Sequence, residues 1–419
     1  MIYQIRQGKL KGRLEVIASK SLTHRALIAA SLANGQSTIY NPLYAVDTLQ
    51  TMDILRNLGI DFETRLDNIT VIGGNIKSTG TILNAHESGS TLRFLVPVSL
   101  LTGEEEHFVC SASLARRPMN IYDTLFKQKG IYFYKKDQHI YCKGPLLPGE
   151  YRISGDVSSQ FISGILFVLP LLKEDSEIAV TSQFESKSYV EMTIKVLKLF
   201  NIDITMKNNI ISIPGNQTYL PTVYKIENDF SQAAFFLIAS ALGSNIEFVG
   251  LNRDSIQGDK KILDFLINFG SEIVEKEGIL KLSKVTQKPV IFDISDTPDL
   301  GPILFTLAAL SSVPVSIKGI KRLRYKESDR VKAMCDNLDL VGATYELKPN
   351  QIDFIPTKLK GGVTVNGFND HRIVMSMTIL GSFIEDGLII DGVEAIKKSY
   401  PTFFEDFRQL GGQLDEFDE

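Results

Sequence analysis

One spacing limits how this chain can fold. Amphipathic helix candidates close at Gly59, Gly130, Asn201, Gly270, Gly342 and Gly411, once every 69 to 72 residues along a chain of 419. Glycine and asparagine accept the left-handed backbone position that ends a helix. A second marker keeps the same beat. Helices with a polar head and an apolar body begin near Lys20, Ser88, Ser159, Phe230, Asp299 and Asp370, 68 to 71 residues apart. Any α/β protein alternates helices and strands, but two independent markers with one period indicate six repeated units. Each unit reads strand, apolar helix, strand, amphipathic helix, then one or two strands. The pattern predicts a mixed α+β fold of sheets with helices packed against them. At 46.7 kDa the chain exceeds one ordinary core, so the units divide into two domains of three. The Pro-containing stretch from Pro214 to Pro221, followed by Asn228, marks the boundary.

Composition excludes several classes of protein. Hydrophobic residues make up 44% and charged residues 22%, the balance of a soluble globular chain. A net charge of −4 rules out a protein dominated by a basic nucleic-acid or membrane surface. Cys110, Cys142 and Cys335 are scattered without metal-ligand spacing and read as reduced thiols in the cytoplasm. The first fifteen residues alternate charged and apolar side chains with no apolar core, so no signal peptide is expected. The longest apolar run, Phe161 to Leu172, is too short to span a bilayer and contains Gly164 and Pro170; it reads as a buried helix.

Apolar bodies bury the repeated helices and leave their polar heads facing outward or into a cleft, so function is sought at the heads. The first, Ser19-Lys20-Ser21 with Arg25, sets two cations beside the free N–H groups of a helix start. Dipole and charge both attract anions there, although a core helix with a basic first turn would look the same. In the second, Glu87-Ser88-Gly89-Ser90, Gly89 lets a ligand approach the backbone and Arg93 follows one turn later. Taken alone, that head is a small-residue cap. The third, Ser158-Ser159-Gln160, offers two hydroxyls and an amide, suited to phosphate oxygens and equally to ordinary capping. The fourth, around Asp229-Phe230-Ser231, has no cation and reads as a structural cap. The fifth centres on Asp299, ordinarily a cap and alternatively a catalytic base. The sixth, Asn369-Asp370-His371-Arg372, opens an apolar helix, where a buried Arg without an anion would be costly.

Three further basic clusters lead the amphipathic helices: Arg116-Arg117-Pro118, Arg322 through Arg330, and Lys397-Lys398-Ser399-Tyr400-Pro401. Each alone is a solvated charge run. Together, in an acidic chain, they point to small polyanions such as phosphate esters, whose phosphate carries about −1.5 to −2.

Six motifs, Ser19-Lys20-Ser21 with Arg25, Arg116-Arg117-Pro118-Met119, Ser158-Ser159-Gln160, Lys326-Glu327-Ser328-Asp329-Arg330, Asn369-Asp370-His371-Arg372 and Lys398-Ser399-Tyr400-Pro401, closely resemble those of the EPSP synthases, the 3-phosphoshikimate 1-carboxyvinyltransferases. The resemblance runs in order from Lys11 to about Phe407. It implies an inside-out α/β barrel of three βαβαββ units in each domain. Residues 1–18 and 228–419 would form the lower domain and 19–227 the upper, with helix starts converging on a cleft that closes on ligand.

The implied reaction moves the enolpyruvyl group of phosphoenolpyruvate to the 5-hydroxyl of shikimate 3-phosphate, on the shikimate pathway to chorismate and the aromatic amino acids. It runs by addition and elimination through a tetrahedral intermediate. The resemblance implies no metal or organic cofactor, no nucleic-acid or membrane partner, and a cytoplasmic monomer. Shikimate 3-phosphate would be held by Lys20, Ser21, Arg25, Ser158, Ser159, Gln160, Ser186, Asp299 and Lys326. Phosphoenolpyruvate would be held by Lys20, Gly89, Arg117, Gln160, Arg330, Arg372 and Lys398. Asp299 would be the base, with Glu327 and Lys20 serving proton transfer at the methylene carbon and the leaving phosphate. Such an addition does need a base on one side and a proton donor on the other.

Two positions depart from the family pattern. Glu87 precedes Ser88-Gly89-Ser90 where many members carry Asn, and Arg322 also stands where many carry Asn. Sensitivity to glyphosate, a phosphoenolpyruvate competitor, therefore does not follow from the motifs, although Gly89 leaves room for it. The nearest rival, UDP-N-acetylglucosamine enolpyruvyl transferase, places a reactive Cys five residues before the Arg of its Arg-Pro pair. Ala112 occupies that position, with Cys110 two residues away, and Lys20-Ser21 replaces the Lys-Asn expected there. A non-catalytic RNA-binding module on the same repeats conflicts with the negative charge and the retained acid and base candidates.

Overall fold

The computed structural model describes residues 1–417. The chain divides into two compact units: unit I is Met1–Ile17 with Glu227–Glu419, and unit II is Ala18–Ile226. Unit II contains helices α1 (Lys20–Leu32), α2 (Val46–Asn57), α3 (Gly89–Ser99), α4 (Asn120–Gln128), α5 (Ser159–Leu166) and α6 (Lys187–Leu199). Unit I contains α7 (Phe230–Ala241), α8 (Ile262–Phe269), α9 (Gly301–Leu310), α10 (Arg330–Leu340), α11 (His371–Gly381) and α12 (Phe403–Gln409).

The two sequence markers correspond to two kinds of helix. Odd-numbered helices are sunk in the core, and every residue of α7 and α11 is buried, as befits helices without a polar face. Even-numbered helices bury one stripe, such as Tyr122, Leu125 and Phe126 of α4. All six residues that close the even helices adopt positive φ: Gly59 86°, Gly130 68°, Asn201 68°, Gly270 110°, Gly342 78° and Gly411 87°. That conformation explains why only Gly and Asn recur there.

Each unit holds three four-stranded sheets, all with one parallel pair followed by two antiparallel pairings. In unit II, for example, Leu83–His86 runs parallel to Glu105–Cys110, which pairs antiparallel with His139–Lys143 and through it with Tyr132–Lys136. Three strands join sheets remote in sequence. Ile2–Ile5 pairs antiparallel with both Leu388–Asp391 and Leu414–Phe417 of unit I. Lys11–Glu15, just before α1, pairs parallel with Asn245–Val249 of unit I. Val223–Lys225, just before α7, pairs parallel with Gly35–Tyr40 of unit II. In unit I, α9 packs on α11 and α7 touches both, within one apolar cluster.

Two local expectations change: that the Phe161 run is one helix, and that Asn34-Gly35, by sequence an ordinary helix stop, closes α1. The apolar run from Phe161 is not one helix: α5 stops at Leu166 and a 3-10 turn, Leu169–Leu171, contains Pro170, which cannot continue the α hydrogen bonds. A Cβ on Gly164 would come within 2.3 Å of the Arg93 carbonyl and the Tyr122 hydroxyl, so glycine lets α5 lie close on α3. Asn34-Gly35 does not close α1 with a left-handed turn. Ala33 caps it in extended backbone, and Gly35, at φ 125°, begins the next strand. Among the described residues no helix is long and apolar enough to cross a membrane.

Candidate active site

Most of the odd helices start with a side-chain cap. Ser19, Ser88, Ser158, Asp229 and Asp370 each accept a backbone N–H of the following turn. The exception is α9, where Asp299 sits in a 3-10 turn, Pro298–Leu300, and no side chain caps the helix. The Asp299 carboxylate is engaged elsewhere. Lys326 Nζ lies 3.2 Å and Arg330 Nη1 3.1 Å from its Oδ1, and Arg372 Nη2 lies 3.3 Å from its Oδ2. Arg372 also donates to the Asp299 carbonyl at 3.0 Å. Asp299 is therefore not the cap of α9, and its carboxylate is the shared partner of three cations.

Each of these cations stands at a helix start or just before one. Arg330 is the first residue of α10 and is 2% exposed, and Arg372 is the second residue of α11. Asp370 caps α11 and at the same time takes the Arg330 fork, Nε to Oδ2 at 2.8 Å and Nη2 to Oδ1 at 3.2 Å. Burial works to raise the Asp299 carboxyl, but Arg372, Lys326 and Arg330 together hold it well below the usual carboxylate range. Burial likewise brings the Lys326 ammonium down to about 8, with Asp299 opposing and Arg322 and Arg330 adding to the fall. Glu327 lies beside this cluster, its Oε2 2.9 Å from His371 Nδ1. Lys398 Nζ donates to the Asn369 carbonyl at 2.6 Å. Glu327, Asp370 and His371 bring three potential metal-ligating atoms within 4.8 Å of one another, but both Asp370 oxygens already accept from Arg330.

The other predicted residues lie in unit II. Lys20 and Arg25 of α1 turn to different partners: Lys20 Nζ meets Asp47 Oδ2 of α2 at 3.0 Å, and Arg25 reaches α6. The Arg25 guanidinium, 3% exposed, donates to Thr193 Oγ1 at 2.7 Å, the Ser21 carbonyl at 2.8 Å and the Tyr189 carbonyl at 3.1 Å. All three acceptors are uncharged, and burial lowers its pKa to about 10. At the start of α5, Gln160 is clamped by its amide: Oε1 accepts from Arg93 Nη1 and Nε2 donates to Ser90 Oγ, both at 2.8 Å. Ser158 caps that helix and Ser159 is its first residue. Arg117 lies against Gly89, where an added Cβ would be 3.1 Å from its Nη1, and its buried Nε has no hydrogen-bond partner. Ser186 precedes α6 at φ 55°, a strained position for serine and common at functional sites.

The family profile described as EPSP synthase (3-phosphoshikimate 1-carboxyvinyltransferase) matches residues 5–407. The chain belongs to the EPSP synthase family. It is 41% identical to the 3-phosphoshikimate 1-carboxyvinyltransferase of Clostridium kluyveri, over 99% of this chain and 98% of that one. It is also 41% identical to the Clostridium perfringens protein of the same name, with 98% of each chain covered. The solved structure of EPSP synthase from Acinetobacter baumannii superimposes with a TM-score of 0.83 over all of both chains at 22% identity, a likeness of fold.

Against the EPSP synthase pattern, Glu87 accepts from Ser113 Oγ at 3.4 Å, and Arg322 is buried close enough to Lys326 to depress its pKa. Sequence reasoning missed Asp47 entirely and gave Arg93 no partner. An Asp in the first turn of a helix is an ordinary companion of the helix dipole, and nothing in its neighbours marks it as the partner of Lys20, 27 residues away.

Proposed function

We propose that the residues at these helix starts carry out the family reaction, with Asp299 as base and Glu327 and Lys20 as proton-transfer groups. As an EPSP synthase, the chain transfers the enolpyruvyl group of phosphoenolpyruvate to the 5-hydroxyl of shikimate 3-phosphate and releases phosphate. The observation that carries the residue assignment is the Asp299 carboxylate enclosed by Lys326, Arg330 and Arg372, three cations from separate turns of chain.

In this reading the hydroxyl oxygen attacks the central carbon of phosphoenolpyruvate and gives its proton to Asp299. The methylene carbon takes a proton from Glu327, which His371 orients. Reversal of that proton transfer, with loss of phosphate from the adduct, restores the double bond. Without substrate Asp299 is too acidic to be an effective base, because three cations stabilise its charge. A phosphoenolpyruvate carboxylate and phosphate that engaged Arg330 and Arg372 would draw those cations away and raise the carboxyl toward a useful range. Shikimate 3-phosphate is assigned to Lys20, Ser21, Arg25, Ser158, Ser159, Gln160, Ser186, Asp299 and Lys326. Phosphoenolpyruvate is assigned to Lys20, Gly89, Arg117, Gln160, Arg330, Arg372 and Lys398. The buried Arg25, bonded only to neutral oxygens, supports an anion as its partner. We also assign the protein to the cytoplasm, a setting supported by three buried, unpaired thiols, Cys110, Cys142 and Cys335.

The test is phosphate release from phosphoenolpyruvate. Release that requires shikimate 3-phosphate is the expected result. Release driven by UDP-N-acetylglucosamine, or with no acceptor, would overturn the reading.

A further inference from the structure

The solvent face of one unit II sheet carries side chains that the enolpyruvyl chemistry does not use. Strand Glu105–Cys110 turns Glu106, Phe108 and Cys110 inward, leaving Glu105, His107 and Val109 on the outer face. Its neighbour His139–Lys143 buries Ile140 and Cys142 and turns His139, Tyr141 and Lys143 to the same side. The register sets His107 opposite Tyr141 and Val109 opposite His139, so the two histidines are diagonal neighbours. His107 Nε2 lies 2.9 Å from His139 Nδ1, with the rings 28° from parallel and their centroids 5.2 Å apart. The His107 ring also stacks on Tyr141 at 4.3 Å and 11°. Glu105, Tyr134, Asp137, His139 and Tyr141 help line a cavity of about 530 Å³ on this face.

We propose that His107 and His139 form a chelating pair for a divalent, imidazole-preferring transition ion such as zinc, nickel or copper. Metal–nitrogen bonds of about 2.0–2.1 Å meeting at 90–109° place the two nitrogens roughly 2.9–3.4 Å apart. The observed separation lies in that range. The hydrogen-bonded nitrogens face each other nearly head-on, so each ring turns by roughly 35–45° to aim its lone pair at one point between them. The proton shared between the facing nitrogens moves to a far ring nitrogen by tautomerisation, so two neutral imidazoles bind without net proton loss. Tyr141 stacks beside His107, and Glu105, two residues from His107 on the same face, adds negative potential. Water completes the coordination.

The site is independent of the reaction assigned above and is tested without it. The metal-stripped full chain, lacking any tag, is titrated with zinc chloride by calorimetry at pH 7.5 and applied to immobilised nickel. The expected result is a zinc site whose affinity falls at least tenfold in both His139→Gln and His107→Gln, together with nickel retention that either substitution abolishes. An unchanged thermal midpoint of the metal-free variants shows that they remain folded, and exposed His139 is the safer of the two. No zinc binding by the native chain would overturn the proposal. So would wild-type zinc affinity in folded His139→Gln, which would place the ion elsewhere, for instance at Glu327, Asp370 and His371.

Discussion

Arg330 in unit I and Arg25 in unit II are both buried guanidiniums near helix starts, 2% and 3% exposed, but they are neutralised differently. Arg330 is met by the Asp370 fork and by Asp299, and these carboxylates, with Glu327, outweigh burial and raise its pKa. Arg25 is met by a threonine hydroxyl, two carbonyls and the Phe94 ring, none of them charged, and burial lowers its pKa. The contrast separates two tasks. In unit I, cations and carboxylates restrain one another, which suits proton transfer that begins when substrate shifts the balance. In unit II, a desolvated charge among neutral acceptors gains most from an anionic ligand.

Substitutions at the two arginines should cost stability unequally. Arg330→Met leaves Asp370, fully buried, without its cation, and should cost about 3–5 kcal/mol in urea unfolding. Arg25→Met should cost no more than about 1–2 kcal/mol, because the lost hydrogen bonds are offset by a charge no longer desolvated. The same variant should lose most of the thermal protection that shikimate 3-phosphate gives the native protein. Equal losses of stability at the two positions would remove the distinction.

A smaller effect sharpens it through pH. Lys326 is charged below about 8 and neutral above, so KM for the anionic substrate should rise as the pH is taken from 7 to 9. The stability contribution has the other sign. The folded pKa lies below the ordinary 10.5, so the unfolded chain binds more protons between about 8 and 10.5, and stability from this residue increases across that window. A KM that is flat over this range, measured alongside the unfolding curve, would take Lys326 out of anion binding.

Much of this was legible from the residues because the signals are local. A left-handed closing residue requires Gly or Asn, so the closures from Gly59 to Gly411 show the beat directly. The apolar bodies of α7 and α11 likewise announce burial. Features set by tertiary contact were less visible. Asp299 reads as a cap until α10 and α11 bring Arg330 and Arg372 to it. Asp47 has no sequence mark at all, since Lys20 reaches it only when α1 packs on α2. The Phe161 run looked continuous because burial does not depend on whether its last turn is α or 3-10.

The central claim is that the caged Asp299 serves chemistry more than binding. Asp299→Asn, assayed for equilibrium binding of both substrates and for turnover on one preparation, tests it most directly. Binding within a few-fold of native, with kcat down by about 10²–10⁴, is the predicted outcome. Near-native turnover would contradict the account, as would a loss of binding large enough to explain the loss of rate.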